Sequence, residues 1–440
     1  MCQTHEHKQG PYSAEYCNEY GFFMKKTPHP WSYVPTLYLA EGLPYVIVNT
    51  VSVILYKRLG MSNAFIGLTS ILYLPWVIKM FWSPLVDVHS TRRCWIIWTQ
   101  ALLAALFGLL ALSTRTPLFV PLTFACFLMI ALVSATHDIA VDGYYMLALG
   151  WRQQAFFIGV RSLFYRLALL CGQGLLVVWA GHLELQTGNI PLSWMLSLFI
   201  PAAFFTAVCI LHQQILPRPV QDLRADAAGH DPDFAGAFKT YFTQPGIVRI
   251  LMFILLYRLG EAMLVKMAAP FLLDDVAAGG LGLGTATVGY AYGTAGMLSL
   301  TAGGLLGGWM IARLGLRRCM WPMAIMLNAP DLVYIYMAAV RPEAWLVYVL
   351  VACEQFGYGL GFTAFSVYLM YIAREPYKTS HFAISTGMMA LGMMAPGILS
   401  GYLQQALGYA AFFTLVTVLT IPGMLLIMFL PFDGGIRPVQ

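Results

Sequence analysis

Charge is what this 440-residue sequence has least of: Asp, Glu, Lys and Arg together make up 10% of it. That is too little to cover an ordinary soluble domain, in which about a quarter of the residues are charged. The net charge of +5 is too thinly spread for a nucleic-acid face and traces to arginines in short connections. Cysteine is sparse and unpatterned as well. The eight cysteines contain no C-x-x-C pair, which argues against a disulfide frame or a zinc site and for free thiols packed as small hydrophobes. A secretory signal is not visible, because Met1 to Pro30 is polar, with His5, His7 and Lys8 and no apolar core. That stretch is expected to be a cytoplasmic tail rather than a histidine metal site.

Apolar sequence fills the rest. Hydrophobic residues reach 59% and mean hydropathy is +0.70, which places the chain in a bilayer. Apolar runs of about 20 residues or more fall near 31–56, 63–86, 94–113, 118–149, 153–182, 191–216, 247–273, 285–312, 319–340, 343–372, 381–407 and 409–431. The expected fold is therefore an all-α membrane protein of twelve transmembrane helices. One side collects Arg92, Arg93, Arg152, Arg313, Arg317, Arg318, Arg374 and Lys378, with Lys25 and Lys26 in the tail; the other short loops hold Lys57, Arg58, Arg115 and Arg341. The positive-inside rule then puts both termini in the cytoplasm. Residues 217–245, polar and rich in Pro and Gly, read as a cytoplasmic linker between a six-helix bundle over 31–216 and a second over 246–431. Tails at 1–30 and 432–440 complete the expected organisation.

An internal repeat supports two related halves. Ser83, Ser90, Arg92 and Cys94 after span two reappear as Gly308, Gly315, Arg317 and Cys319 after span eight, each displaced by 225 positions. Pseudo-symmetric halves of this kind are what secondary transporters use, with the substrate site at the interface between them.

Charges inside the spans carry the functional signal. A carboxylate at the centre of a spanning helix costs about 2.5–3.5 kcal/mol on insertion scales, so it must be paired or face a watery cavity. Thr136-His137-Asp138-Ile139-Ala140-Val141-Asp142-Gly143 sits in an apolar run from Pro117 to Leu149. Asp138 and Asp142, four apart, share a helix face. Spans four and five form a hairpin around Arg152; at the helical rise Asp142 and Arg161 lie ~15 and ~13 Å from that turn, and Asp138 and Arg166 both ~21 Å. Equal depth predicts the pairs Asp142–Arg161 and Asp138–Arg166, either as structural neutralisation or as a cavity lining that rearranges in transport. Arg258 and Glu261 are helix neighbours in span seven. Glu41 and Glu354 have no local partner, and a carboxylate without a counter-charge in low dielectric favours its protonated form. His137 is a candidate proton relay or a hydrogen-bonded interior histidine. Small-residue spacings at Gly303, Gly304, Gly307 and Gly308 allow close helix packing.

These motifs carry a family resemblance. Gly308-x-x-x-Ala312-Arg313-x-Gly315-x-Arg317-Arg318 resembles the inner-loop motif of the major facilitator superfamily, with Asp87 where the first copy places its acid. The resemblance implies a gating role for Asp87, Arg92, Arg93, Gly308, Arg313, Gly315 and Arg317. Tyr38-Leu39-Ala40-Glu41-Gly42-Leu43-Pro44, Lys79 to Asp87, Asp138-Ile139-Ala140-Val141-Asp142-Gly143, Tyr165-Arg166-Leu167, Tyr257-Arg258-Leu259-Gly260-Glu261-Ala262 and Glu354-Gln355-Phe356-Gly357 are similar to AmpG-type muropeptide permeases and their acetyl-CoA-transporter relatives. This implies a major facilitator fold in a bacterial inner membrane, proton-driven import of anhydro-muropeptides or related cell-wall fragments, and peptidoglycan recycling as the context. Acetyl-CoA or another large organic anion is the alternative. The expected partners are a small-molecule substrate, protons and the lipid bilayer, with the chain a monomer, no nucleic acid, no cofactor, no metal and no catalytic residue. An intramembrane prenyltransferase would share the Asp138-x-x-x-Asp142 spacing but would need a second acid-rich motif. A channel would not need two related halves.

Overall fold

A computed structural model of the chain describes residues 28–83, 86, 90–218, 234–374 and 378–432. Among them the structure is helical, with no strand. Nine helical stretches are long and apolar enough to cross a membrane. One of these, Ser380–Phe429, is really two helices that meet at Gly408. Its φ of 74° and ψ of 167° suit only glycine, so the chain reverses there. Two further spans are shorter or broken: Asn63–Ile78, and the pair Ile247–Leu256 and Leu259–Leu273. Together these make twelve spans.

Span one is Pro30–Arg58, span two Asn63–Ile78, span three Arg92–Ser113 and span four Phe119–Ala148. Span five runs Trp151–Leu169, widens into a π-helical turn over Leu170–Leu176 and ends with Val177–Thr187; span six is Ile190–Ile215. Span seven breaks at Tyr257 and Arg258, where Arg258 leaves helical geometry (φ −106°, ψ 15°). Spans eight, nine and ten are Thr285–Leu314, Leu316–Val340 and Ala344–Tyr371.

Span two ends earlier than its apolar run suggests. The α-helix stops at Ile78, and Lys79–Phe81 continues as a 3₁₀ turn. The expected linker also holds more structure than its polarity implies. Phe234–Phe242 is a helix whose Tyr241 hydroxyl contacts Ser385 Oγ (2.8 Å) and whose Phe238 stacks on Phe81. Phe234, Phe238, Tyr241 and Phe242 recur at helical spacing, so the segment has an apolar face to bury.

The halves meet along small residues. A side-chain carbon on Gly174 of span five would lie 3.0 Å from the Gly293 carbonyl of span eight, and one on Gly401 would overlap the backbone of Asn63 in span two. Within the second half, Gly303 and Gly307 press on span ten, whereas Gly308 faces open space and is not a packing glycine. The loop motif divides by function. Gly315 adopts φ 82°, ψ 150°, a glycine-only geometry that lets span nine follow span eight without a linker. Arg93 caps the end of span six by donating to the Leu216 and Gln213 carbonyls (3.1 and 2.6 Å). Arg92 lies across Gly143, Arg313 stacks on Trp309 (4.6 Å), and Arg317 is exposed. Asp87 lies outside the described residues. The six described cysteines are free thiols.

Candidate functional site: a charged cavity between the halves

Between the halves lies a cavity of about 1020 Å³ whose wall draws on both of them. It extends toward the end bearing Ser83, Phe238 and Ser380. At the opposite end the halves are locked by two polar nodes. In one, Lys57 of span one pairs with Asp274 of span seven; Tyr409 donates to Asp274 (2.6 Å), and the Asn63 amide reaches Gln404 (2.6 Å). In the other, Glu184 of span five accepts from Arg58 (3.0 Å), Trp194 (2.8 Å) and Thr285 (2.6 Å), the last from the other half. One end is sealed while the cavity reaches toward the other.

The N-terminal wall of the cavity is an acidic cluster. Oxygens of Glu41, Asp138 and Asp142 all lie within 4.8 Å of one another. The Asp142–Arg161 pair expected from depth is present at 3.0 Å, with the Tyr38 hydroxyl donating to the same carboxylate (3.0 Å) and the guanidinium 4.7 Å above the Tyr38 ring. The expected Asp138–Arg166 pair is not formed. Asp138 pairs instead with Lys79, at the start of the 3₁₀ turn that follows span two. Equal depth did not place Arg166 on the facing side of span five, where it would have had to point toward span four. The sequence reading missed Lys79 because it sits at the end of an apolar run and looked like part of the loop motif. A cation closing a spanning helix opposite two unpaired acids was the signal available.

Three carboxylates thus face two cations, and Glu41 is the one left over. Its Oε2 is buried with no hydrogen-bond partner. Three acids so close resemble a metal cage, but Lys79 and Arg161 already neutralise two of them.

Across the cavity, Arg258 makes a two-pronged pair with Glu261 (2.7 and 3.0 Å), donates to Tyr358 (2.7 Å) and stacks on Phe362 (5.0 Å). Glu354 of span ten accepts from Gln355 (2.9 Å) and, at 3.5 Å, from Tyr334. Arg166 reaches over from span five to lie against Gly304 of span eight. It lines the cavity, and its buried NH1 has no hydrogen-bond partner. Unlike Arg161 and Arg258, it has no carboxylate partner among the described residues.

His137 is not part of this wall. It is buried on the far face of span four, where Gln100 donates to its Nε2 (3.1 Å); Gln100 in turn contacts His212 (2.9 Å), which contacts Thr36 (2.9 Å). One helical step separates it from Asp138, which turns the two side chains in different directions.

Two related halves around a central charged cavity define a secondary transporter, not an enzyme. Residues 36–375 match the model of the Major Facilitator Superfamily, and the chain belongs to that family. Its relatives include the anhydromuropeptide permease of Escherichia coli strain K12, 26% identical over 88% of this chain and 77% of the relative. The putative transporter AmpG 4 of Rickettsia conorii is 26% identical over 89% and 94%. In structure the chain is similar to a D-xylose-proton symporter (TM-score 0.68, 11% identity, 91% of this chain and 96% of the other). It is also similar to the nucleoside transporter NupG (TM-score 0.61, 15% identity, 90% and 96%). The membrane fold and the AmpG-type likeness expected from the sequence both hold.

Proposed function

We propose that this protein imports anhydro-muropeptides, or the amino-sugar part of them, across a bacterial inner membrane by proton-coupled alternating access. The observation that carries the reading is the mismatch of charges in the cavity. Among the described residues Arg166 is a cation without a carboxylate, and Glu41 is a carboxylate without a cation. An anionic solute with sugar and peptide faces would supply the first with a bidentate partner. Tyr45, Tyr73, Trp76 and Tyr165 in the same wall offer ring faces for the sugar. The likeness to an anhydromuropeptide permease supports this solute class.

Glu41, Asp138 and Glu354 are the candidate proton carriers. In the cluster of three acids and two bases, one proton makes the charge balance, so loading and release of a proton switches that cluster between neutral and anionic. Asp142, Arg161, Arg258 and Glu261 hold the walls on either side. We place both termini in the cytoplasm from the distribution of basic residues, with bundles at 31–216 and 246–431 and the chain acting as a monomer. On that orientation the sealed end faces out and the cavity faces the cytoplasm.

Acetyl-CoA or another large anion is the competing solute, and Arg166 fits it as well. Uptake of labelled muropeptide, free amino-sugar and acetyl-CoA into proteoliposomes, with and without an imposed proton gradient, separates the two. Muropeptide accumulation that collapses with an uncoupler is expected. Gradient-independent uptake would remove proton coupling, and transport of acetyl-CoA without response to wall fragments would replace the substrate.

A further inference from the structure

Span nine does not cross as one helix. Its first part ends at Asn328, a 3₁₀ turn follows over Ala329–Asp331, and helix resumes at Leu332. Pro330 causes the break, because it has no amide hydrogen to give the Met326 carbonyl. The loosened turn is pressed against span ten. A side-chain carbon on Gly357 would lie 1.8 Å from the Met326 oxygen and 3.1 Å from the Pro330 ring. Glu354 sits three residues before that glycine, on the same side of span ten.

Two buried acceptor oxygens here have no donor, and the neighbouring Glu354 is held only by neutral groups, Gln355 and Tyr334. Asp331 is 3% exposed and its Oδ2 has no partner; Asn328 is 4% exposed and its Oδ1 has none either. Tyr334, one turn beyond Asp331, reaches Glu354 with its hydroxyl, which also touches the Tyr292 hydroxyl. No Lys, Arg or His forms an ion pair with Asp331 or Glu354 among the described residues. The charged groups that reach Asp331 are Glu354 and Glu261, both acidic, and Glu261 is already held by Arg258. Two buried carboxylates and an amide oxygen with no cation do not persist uncompensated in low dielectric. The end of a broken helix adds the partial negative charge of its free carbonyls, the arrangement by which interrupted transporter helices hold coupling ions.

We propose that the break in span nine, with Asn328 and Asp331, and Glu354 of span ten form a small monovalent-cation site, a second coupling site separate from the Glu41 cluster. Glu354, Tyr292 and Tyr334 line the cavity, so the cation enters from it, while Asp331 lies one layer behind the wall. The cation is Na⁺, which the unpartnered Asn328 and Asp331 oxygens can coordinate together with Glu354. This goes beyond the solute reading, and it can hold or fail whatever the solute is.

The test uses the full chain, purified and free of substrate. Thermal unfolding is measured in NaCl against choline chloride, and proton release on adding NaCl is followed in weakly buffered detergent solution. A Na⁺ site gives a melting temperature that rises with the logarithm of Na⁺ concentration. The rise should be absent in Asp331→Asn and Glu354→Gln, weakened in Asn328→Ala and unchanged in Glu41→Gln. A carboxyl that holds only a proton gives no Na⁺ response, and that outcome overturns the cation site. If wild-type protein shows neither a Na⁺-dependent melting temperature nor proton release on adding NaCl, or shows both equally in Asp331→Asn and Glu354→Gln, the site does not exist. The wild-type comparison and the mild Asn328→Ala variant keep the result readable should a carboxylate variant fail to fold.

Discussion

Two of the ion pairs among the described residues, Arg258–Glu261 and Arg161–Asp142, flank the cavity, yet removing the acid should have very different effects. Arg258 and Glu261 have side chains 7% and 4% exposed and share two hydrogen bonds. Replacing Glu261 by Gln strands a guanidinium that has only Tyr358 and two ring faces left. Breaking a buried pair in this way costs about 3–5 kcal/mol. For a bundle of this size that is a fall of roughly 6–20 °C in melting temperature, on the scale of about 2–4 °C per kcal/mol. Arg161 and Asp142 are 32% and 40% exposed to the cavity, so water shares the charge, and Asp142→Asn should cost only about 1 kcal/mol. The double variant Arg258→Met with Glu261→Gln removes the stranded charge and should recover at least half of the loss. Fluorescence-monitored thermal unfolding in one detergent measures the wild type, the single variants Glu261→Gln, Arg258→Met and Asp142→Asn, and the double variant. Equal destabilisation by Glu261→Gln and Asp142→Asn, or a double variant as unstable as the sum of its singles, would refute the burial reasoning.

Other consequences are independent of that pair. Arg166→Leu should raise the KM for an anionic solute about 10–100-fold, the equivalent of one charged hydrogen bond of roughly 1.5–3 kcal/mol, with the melting temperature little changed; an unaltered KM removes Arg166 from the solute site. Gly304→Ala places a carbon 3.2 Å from the Arg166 guanidinium and should weaken uptake in the same direction, while Gly308→Ala, facing open space, should leave it intact. Glu41→Gln should abolish uphill accumulation while sparing exchange of labelled for unlabelled solute; retained accumulation would pass the proton to Asp138 or Glu354. Single cysteines at Arg115 and Arg374 test the orientation: an impermeant thiol reagent applied outside should mark only the first, and equal labelling overturns it.

Most of the fold was legible because a bilayer imposes simple rules. Backbone polar groups must be satisfied within each segment, so long apolar runs become helices, and the 225-residue repeat announces two related halves. The sequence also marked which residues matter by their cost: Glu41, Asp138, Asp142, Arg161, Arg166, Arg258, Glu261 and Glu354 stand out in apolar surroundings, and all but Glu261 line the cavity. Arg258 and Glu261 paired as helix neighbours must, since that spacing is local. Depth along a hairpin matched Asp142 with Arg161 for the same reason, as two adjacent antiparallel helices share one axial coordinate.

Rotation about the helix axis and contacts between non-adjacent spans were decided only in three dimensions. Lys79, not Arg166, neutralises Asp138, because span two packs beside span four and span five turns Arg166 toward the other half. His137 faces Gln100 and not the cavity, since one residue of helix is a turn of about 100°. The role proposed for Asp331 could not be read from the sequence, because it comes from a proline break in span nine and from packing on span ten, whose Glu354 is 23 positions away in the chain. Composition and spacing set what each span must contain; which side chains meet across the cavity follows from how twelve nearly parallel rods rotate to bury their own charges.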